Sequence, residues 1–247
     1  MNDEARKTGT VETSEKDHPQ SNPIRPSARW RESKWATVAE FAIVGLIFFA
    51  DHRHLVPLSK TPFLFLLGWI SLRSRSAGWR SVGFERDRNG AITLAIGIAA
   101  GVLTETFQLL VTQPALVRLT GEPPDLRIFR AMTGNLKLAL VGFAFAWIFA
   151  AFGEELVWRG YLMNRVAELG HRTRRAWICS LLAVSVVFGM AHAGQGIAGV
   201  IEESIAGLFL GLMYLSTGRN LALPIIAHGV ADTIDVVLIF LGKYPGM

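Results

Sequence analysis

The sequence has 247 residues, 51% of them hydrophobic and only 18% charged, with 25 Lys and Arg against 20 Asp and Glu for a net charge of +5. Soluble domains carry about a quarter charged residues, and twelve of the charges here lie in the first 33 positions. The mean hydropathy is +0.34. These numbers exclude a disordered chain, a fibrous protein and an ordinary water-soluble enzyme. They predict an all-α fold, a polytopic helical membrane bundle with a polar N-terminal tail.

The chain divides into a polar tail and a series of apolar segments. Residues 1–33 hold three prolines among Ser, Asn, Lys and Glu, which predicts a disordered tail. Residues 34–247 form one predicted transmembrane domain, because crossing the hydrocarbon core takes about 20 apolar residues. Its apolar segments are 35–50, 55–72, 91–117, 136–169, 176–201, 201–217 and 221–241. We predict about seven transmembrane helices, with six or eight as alternatives because Lys60 interrupts the second segment. Gly207 and Gly211 form a Gly-x-x-x-Gly pair that favours close helix contact.

The Lys and Arg residues lie mainly in the connections between apolar segments. This distribution is typical of the cytoplasmic loops of membrane proteins, so the pI of about 9.7 does not indicate a nucleic-acid partner. With the tail inside, fourteen basic residues lie on the inner side and seven on the outer side, which predicts a cytoplasmic N-terminus. Without the second segment, the later connections would exchange sides.

Several ionisable residues interrupt the apolar C-terminal half. Insertion of each ionisable side chain into the membrane costs a few kcal/mol of free energy, so each is expected to have a structural or functional role. Some would be paired structural ions or helix ends, but the whole set points to a functional site. The residues concerned are Glu154, Glu155, Arg159, His192, Glu202, Glu203, His228, Asp232 and Asp235.

The spacing of the first acids separates their roles. Glu155 and Arg159 are four residues apart and predict an ion pair on one helix face. Glu154 has no partner at that spacing, because position 158 is Trp. An unpaired carboxylate in an apolar environment is a candidate general base.

Two imidazoles are predicted to reach the same region. Glu154 lies 19 residues before Thr173 and His192 lies 19 after it, so two antiparallel helices would bring them to one depth. His228 and Asp232 are four residues apart on the last apolar segment. Three helices would thus converge on one intramembrane site.

This set of side chains supports two chemistries. In the first, Glu154 and His192 hold and deprotonate a water that attacks an amide carbonyl, while His228 and Asp232 stabilise the oxyanion or orient the site. In the second, Glu154, His192 and His228 bind Zn²⁺, which acidifies a bound water. The two-histidine zincin helix motif is absent. We prefer the form without a cofactor.

Three motifs in order resemble those of the CAAX-protease and bacteriocin-processing family, over about residues 135–241. They are Glu154-Glu155-Leu-Val-Trp-Arg159, Phe188-Gly-Met-Ala-His192 and His228-Gly-Val-Ala-Asp232. The family consists of intramembrane endopeptidases whose motifs read Glu-Glu-x-x-x-Arg, Phe-x-x-x-His and His-x-x-x-Asn/Asp. Each motif alone is weak, but three in order on apolar segments are specific.

The resemblance implies a role for each motif. Glu154 would act as the base with His192 on the catalytic water, and Glu155 and Arg159 would brace the site. The third motif would polarise the scissile carbonyl or hold the intermediate. Its last residue is Asp232 rather than Asn, so an ionised carboxylate would oppose an oxyanion unless it is protonated or pairs with the neighbouring imidazole.

The resemblance also implies a substrate class. We expect an enzyme of the bacterial cytoplasmic membrane that hydrolyses membrane-associated or prenylated, CAAX-type peptides, with the lipid bilayer as its other partner. Two alternatives are a non-catalytic member that acts as a scaffold or bacteriocin-immunity factor, and a proton-coupled membrane transporter.

Five other polar residues of the apolar segments lie outside the motifs. Glu202 and Glu203 follow a glycine-rich stretch and predict the first turn of a helix, where acids favour the helix dipole. A substrate-facing or metal-facing role is the alternative. Glu105 and Gln108 are expected to face the bundle interior, and Asp235 would join the Asp232 face.

Overall fold

The computed structural model describes residues 33–57, 59–85 and 89–246. Over these residues the chain forms seven long helical segments and short 3₁₀ turns, without strands. The helices are α1 (Lys34–His52), α2 (Thr61–Ser74), α3 (Gly90–Thr120), α4 (Leu136–Leu169), α5 (Arg174–Met190), α6 (Gly196–Ser216) and α7 (Ala222–Phe240). The predicted disordered tail, apart from Ser33, lies outside the described residues.

The all-α membrane bundle predicted from composition is confirmed. Among the described residues, five helices are long and apolar enough to cross a membrane: α1, α3, α4, α6 and α7. The other two are shorter, at 14 residues for α2 and 17 for α5. At 1.5 Å per residue, α2 is about 21 Å long, less than the hydrocarbon thickness of a typical bilayer.

The predicted boundary at residue 201 is wrong. α5 ends at Met190 and α6 begins at Gly196, so the break covers residues 191–195. Gly196 has a φ of 78°, a left-handed conformation that glycine adopts without steric cost. Neither side of this break carries an Asp, Glu, Lys or Arg before residue 202, so the charge pattern did not reveal it.

The connections gather at two ends of the bundle. At the basic end, Leu221 donates a backbone hydrogen bond to Gly83, and the guanidinium groups of Arg172 and Arg219 both lie over the Trp177 ring. At the other end, which we call the His192 end, residues 53–57, 59–60, 121–135, 191–195 and 241–246 come together. Their contacts include hydrogen bonds from the Asp125 amide to the Gln195 carbonyl and from the Gly134 amide to the Phe240 carbonyl, both 2.9 Å.

Glycine allows the closest helix contacts. A Cβ on Gly101 of α3 would lie 2.5 Å from the carbonyl oxygen of Ala227 on α7. The predicted Gly-x-x-x-Gly contact is confirmed, because a Cβ on Gly207 or Gly211 would touch α5 at 3.2 or 2.4 Å. α5 and α6 therefore approach closely, which places the residues at the end of α5 against α6.

We expect Gly189→Ala to destabilise the α5–α6 pair. Its Cβ would lie 2.2 Å from the Val200 carbonyl oxygen and 2.0 Å from Ser204 Oγ, so helix backbone has to move. Such overpacking costs about 1–3 kcal/mol, measurable by chemical unfolding in detergent. The matched control is Gly45→Ala on α1, where nothing lies within 4 Å of the new Cβ. Equal stabilities of the two variants would contradict this packing.

Candidate active site

Glu154 lies in the middle of α4, in a stretch with π-helical turns over Ala146–Glu154 and Leu156–Leu162. Such turns widen the helix and are frequent at functional sites. Glu154 is half-buried, and its Oε1 accepts a hydrogen bond of 3.4 Å from Thr61 Oγ1 at the start of α2. This bond is long, so the carboxylate retains most of its capacity to accept a proton.

His192 lies just beyond α5, at the His192 end. Its Nδ1 is 2.8 Å from the Phe188 carbonyl oxygen, which can only accept. Nδ1 therefore carries the hydrogen, and in the neutral ring Nε2 is the free base. The site thus contains an oriented imidazole with its basic nitrogen unused by this bond.

Lys60 and Thr61, at the start of α2, contact Glu154 and the residue that precedes His192. Lys60 Nζ donates to the Ala191 carbonyl at 2.9 Å and lies 3.4 Å from Asp51 Oδ2, while its neighbour Thr61 donates to Glu154. Lys60 and Thr61 were not predicted as site residues. The only sequence signal was that Lys60 interrupts an apolar segment.

The predicted ion pair between Glu155 and Arg159 is confirmed, at 2.6 Å and fully buried. Arg159 also donates 3.0 Å to the Gly207 carbonyl of α6. The same Glu155 oxygen lies 2.8 Å from His228 Nδ1 on α7, and His228 Nε2 lies 3.6 Å from Asp232 Oδ1. One carboxylate therefore joins the first motif to the third, a link between helices that spacing did not predict.

Phe188 lies between the three motifs. Its ring centroid is 4.8 Å from the Arg159 guanidinium carbon, 4.8 Å from the His192 ring and 6.4 Å from the His228 ring. The Phe188 ring thus lies between the buried Glu155–Arg159 pair and the His192 ring, and it packs against both imidazoles. The four-residue spacing from Phe188 to His192 is the sequence signal for this contact.

A family comparison covers the part of the chain that carries these motifs. Residues 136–234 match the family model described as type II CAAX prenyl endopeptidase Rce1-like. We call residues 136–234 the Rce1-like segment, after this similarity. No match was found among curated proteins or among solved structures.

The Rce1-like segment contains all three motifs, and the family is one of CAAX-type intramembrane peptidases. The matched residues, 136–234, do not include α1, α2 or Lys60. The groups that support Glu154 and His192 from α2 therefore lie outside the matched region.

Glu202 and Glu203 do not lie in the first turn of a helix, contrary to prediction. α6 begins at Gly196, because Gln195 packs over Gly199 and the glycine-rich stretch continues as helix. Both acids lie nearly two turns inside α6, beyond the reach of the helix-dipole effect. Glu202 is only 4% exposed and faces Gln108 and Gln113 of α3.

A cavity of about 40 Å³ lies beside the third motif, between α3, α6 and α7. The predicted interior positions of Glu105 and Gln108 are confirmed by their burial. The polar residues that line the cavity are Glu105, Gln108, Glu203, His228, Asp232 and Asp235. Asp235 thus joins the same face as Asp232, as expected.

The side chains considered for Zn²⁺ are engaged elsewhere. Both ring nitrogens of His228 face carboxylates, and Glu154 faces Thr61. In the ranges that the structure covers, no three His, Cys, Asp or Glu side chains are placed to hold a metal ion. Glu154, His192 and His228 are therefore not gathered as one set of ligands in this structure.

Proposed function

We propose that the chain is an intramembrane endopeptidase that cleaves lipidated, CAAX-type peptides with a water activated by Glu154 and His192. The observation that carries this proposal is the 2.8 Å contact from Glu155 to His228. It joins the first and third motifs of the Rce1-like segment at one site, with Phe188 of the second motif packed between them.

The proposed mechanism begins with a water held between Glu154 and Nε2 of His192. Glu154 takes one proton while the water oxygen forms a bond to the scissile carbonyl carbon. The protonated His228 donates through Nδ1 to Glu155 and offers its Nε2 hydrogen to the developing oxyanion. Glu154 then gives its proton to the leaving nitrogen as the C–N bond breaks, which leaves a carboxylic acid and an amine.

Asp232 orients His228 in this mechanism. Its carboxylate lies 3.6 Å from Nε2, on the same side as the incoming oxyanion. Glu155 lies beside Nδ1 of His228 and Asp232 lies beside Nε2, so each ring nitrogen faces one carboxylate. The Asp in place of Asn therefore serves the histidine rather than the oxyanion.

The lipid of the substrate is proposed to lie in an apolar groove between α1, α4 and α5. The groove has a volume of about 1050 Å³, and Phe41, Phe48, Trp158 and Val187 contribute to its walls. It ends at Ala191 and Gly194, on either side of His192. A hydrocarbon chain bound there would place the attached peptide next to the catalytic pair.

Cleavage of a farnesylated peptide with a CAAX sequence by the purified protein in lipid nanodiscs tests this function. We expect release of the last three residues, at a rate that exceeds that of the same peptide without its farnesyl group. The rate should be unchanged by a chelator. Equal cleavage of both peptides would exclude the lipid groove, and no cleavage of either would exclude the peptidase.

The measurement with chelator distinguishes the metal-free mechanism from the Zn²⁺ mechanism, the two chemistries considered from the sequence. Activity that is lost with chelator and restored by added Zn²⁺ would overturn the metal-free mechanism. It would leave the substrate assignment intact, because that assignment depends on the groove and not on the base.

A further inference from the structure

A row of buried polar side chains leads away from the third motif toward the His192 end. Glu105 of α3 lies beside Asp235 of α7 and lines the cavity next to His228 and Asp232. Beyond it, Glu202 lies beside Gln113, and Gln113 Nε2 donates to Tyr244 Oη at 2.7 Å. The row ends in residues 241–246, beyond α7.

Atoms of this row lack protein partners. Among the described residues, none supplies a hydrogen bond to Oε1 of Glu202, Oδ1 of Asp235 or Oε1 of Gln113. Glu202 and Gln113 are 4% and 3% exposed, so these atoms are deep in the protein. Buried polar atoms are almost always hydrogen-bonded, and water is the usual partner where the protein offers none.

The size and lining of the cavity suit water. A volume of about 40 Å³ holds one or more water molecules, which need about 10–15 Å³ each by this measure. The carboxyl and amide groups around it come from three helices and supply the two to four hydrogen bonds that a buried water makes. The groove proposed for lipid, by contrast, is bounded by α1, α4 and α5 and shares no lining residue with this cavity.

We propose that Glu105, Gln113, Glu202, Asp235 and Tyr244 line a water path from the His192 end to His228 and Asp232. This inference rests on the proposed hydrolase function, because it assigns the path to the hydration of the part of the site where His228 meets the oxyanion. Water and lipid substrate then approach the site from different sides. A lipid chain in the groove does not block the entry of water.

Silver-ion accessibility in lipid nanodiscs tests the path without any substrate. Cys179 is the single cysteine, so Cys179→Ser provides the background. Thr104→Cys and Ala231→Cys place thiols in the cavity lining. Leu103→Cys is the matched control, since residue 103 is next to Thr104 but 69% exposed on the outer side of α3. Ag⁺ reacts with thiolates, which form in contact with water, so we expect both cavity thiols to react about tenfold faster or more.

An activity measurement on filled cavities completes the test. Ala231→Leu should lower kcat for the farnesylated peptide with KM unchanged, and should slow the silver reaction of Thr104→Cys. Ala99→Leu, on the exposed side of α3, should change neither. Since Thr104→Cys and Ala231→Cys are separate positions, misfolding of one leaves the other informative.

The outcomes separate this inference from the function on which it rests. Cavity thiols that react no faster than the Leu103→Cys thiol overturn the water path, even if the wild type cleaves peptides. Fast silver reaction without peptide cleavage overturns the peptidase and leaves a water-filled path. Fast reaction together with a lower kcat in Ala231→Leu supports both.

Discussion

Glu154→Gln is expected to abolish peptide cleavage while the bundle remains folded. Glutamine has the size of glutamate and its side-chain oxygen can still accept the hydrogen bond from Thr61. What it lacks is a carboxylate that takes a proton from water. A positioned general base contributes about 100- to 10,000-fold to the rate, so kcat should fall by that factor with KM little changed.

The control for Glu154→Gln is Glu122→Gln, at an exposed position in the connection between α3 and α4. It removes the same charge at the His192 end without touching the site, and its activity should equal that of the wild type. A kcat for Glu154→Gln within a few-fold of the wild type would exclude Glu154 as the base.

His192→Ala gives a further check on the same step. If Glu154 and His192 act on one water, the double variant should be no slower than the slower single variant, because residues that work as a unit have non-additive effects. Multiplicative losses would instead place the two side chains in separate steps.

Arg159→Leu is expected to produce the largest loss of stability. Arg159 is fully buried, pairs with Glu155 at 2.6 Å and donates to the Gly207 carbonyl of α6. The leucine would leave the Glu155 carboxylate with His228 alone. Removal of one partner of a buried ion pair costs about 3–5 kcal/mol, which chemical unfolding in detergent would detect.

Two comparisons identify the cause of this loss. The double variant Glu155→Gln/Arg159→Leu should be more stable than Arg159→Leu, because it leaves no unpaired carboxylate while the glutamine oxygen still accepts from Nδ1 of His228. Arg127→Ala removes an exposed pair with Asp125 and should leave the unfolding midpoint unchanged. A double variant less stable than Arg159→Leu would show that packing, rather than charge, accounts for the loss.

The acidic residues show most clearly what the sequence alone can and cannot predict. The spacing from Glu155 to Arg159 predicted their ion pair, because both lie on one helix and helix geometry alone brings them together. The reading of Glu202 as a helix start was wrong, since its environment depends on where α6 begins and on which face meets α3. Neither is a property of local sequence.

Charged residues are few and lie mainly in the tail and in the connections, and this distribution was enough to predict a helical membrane bundle. Three spaced motifs were enough to indicate a peptidase family. Helical periodicity places side chains on a face, but the rotation and depth of each helix come from packing against its neighbours. Only the tertiary structure therefore joined Glu155 to His228 across two helices and brought Lys60 and Thr61 of α2 to the site. The close glycine contacts that set those depths decided which of the few charged residues meet.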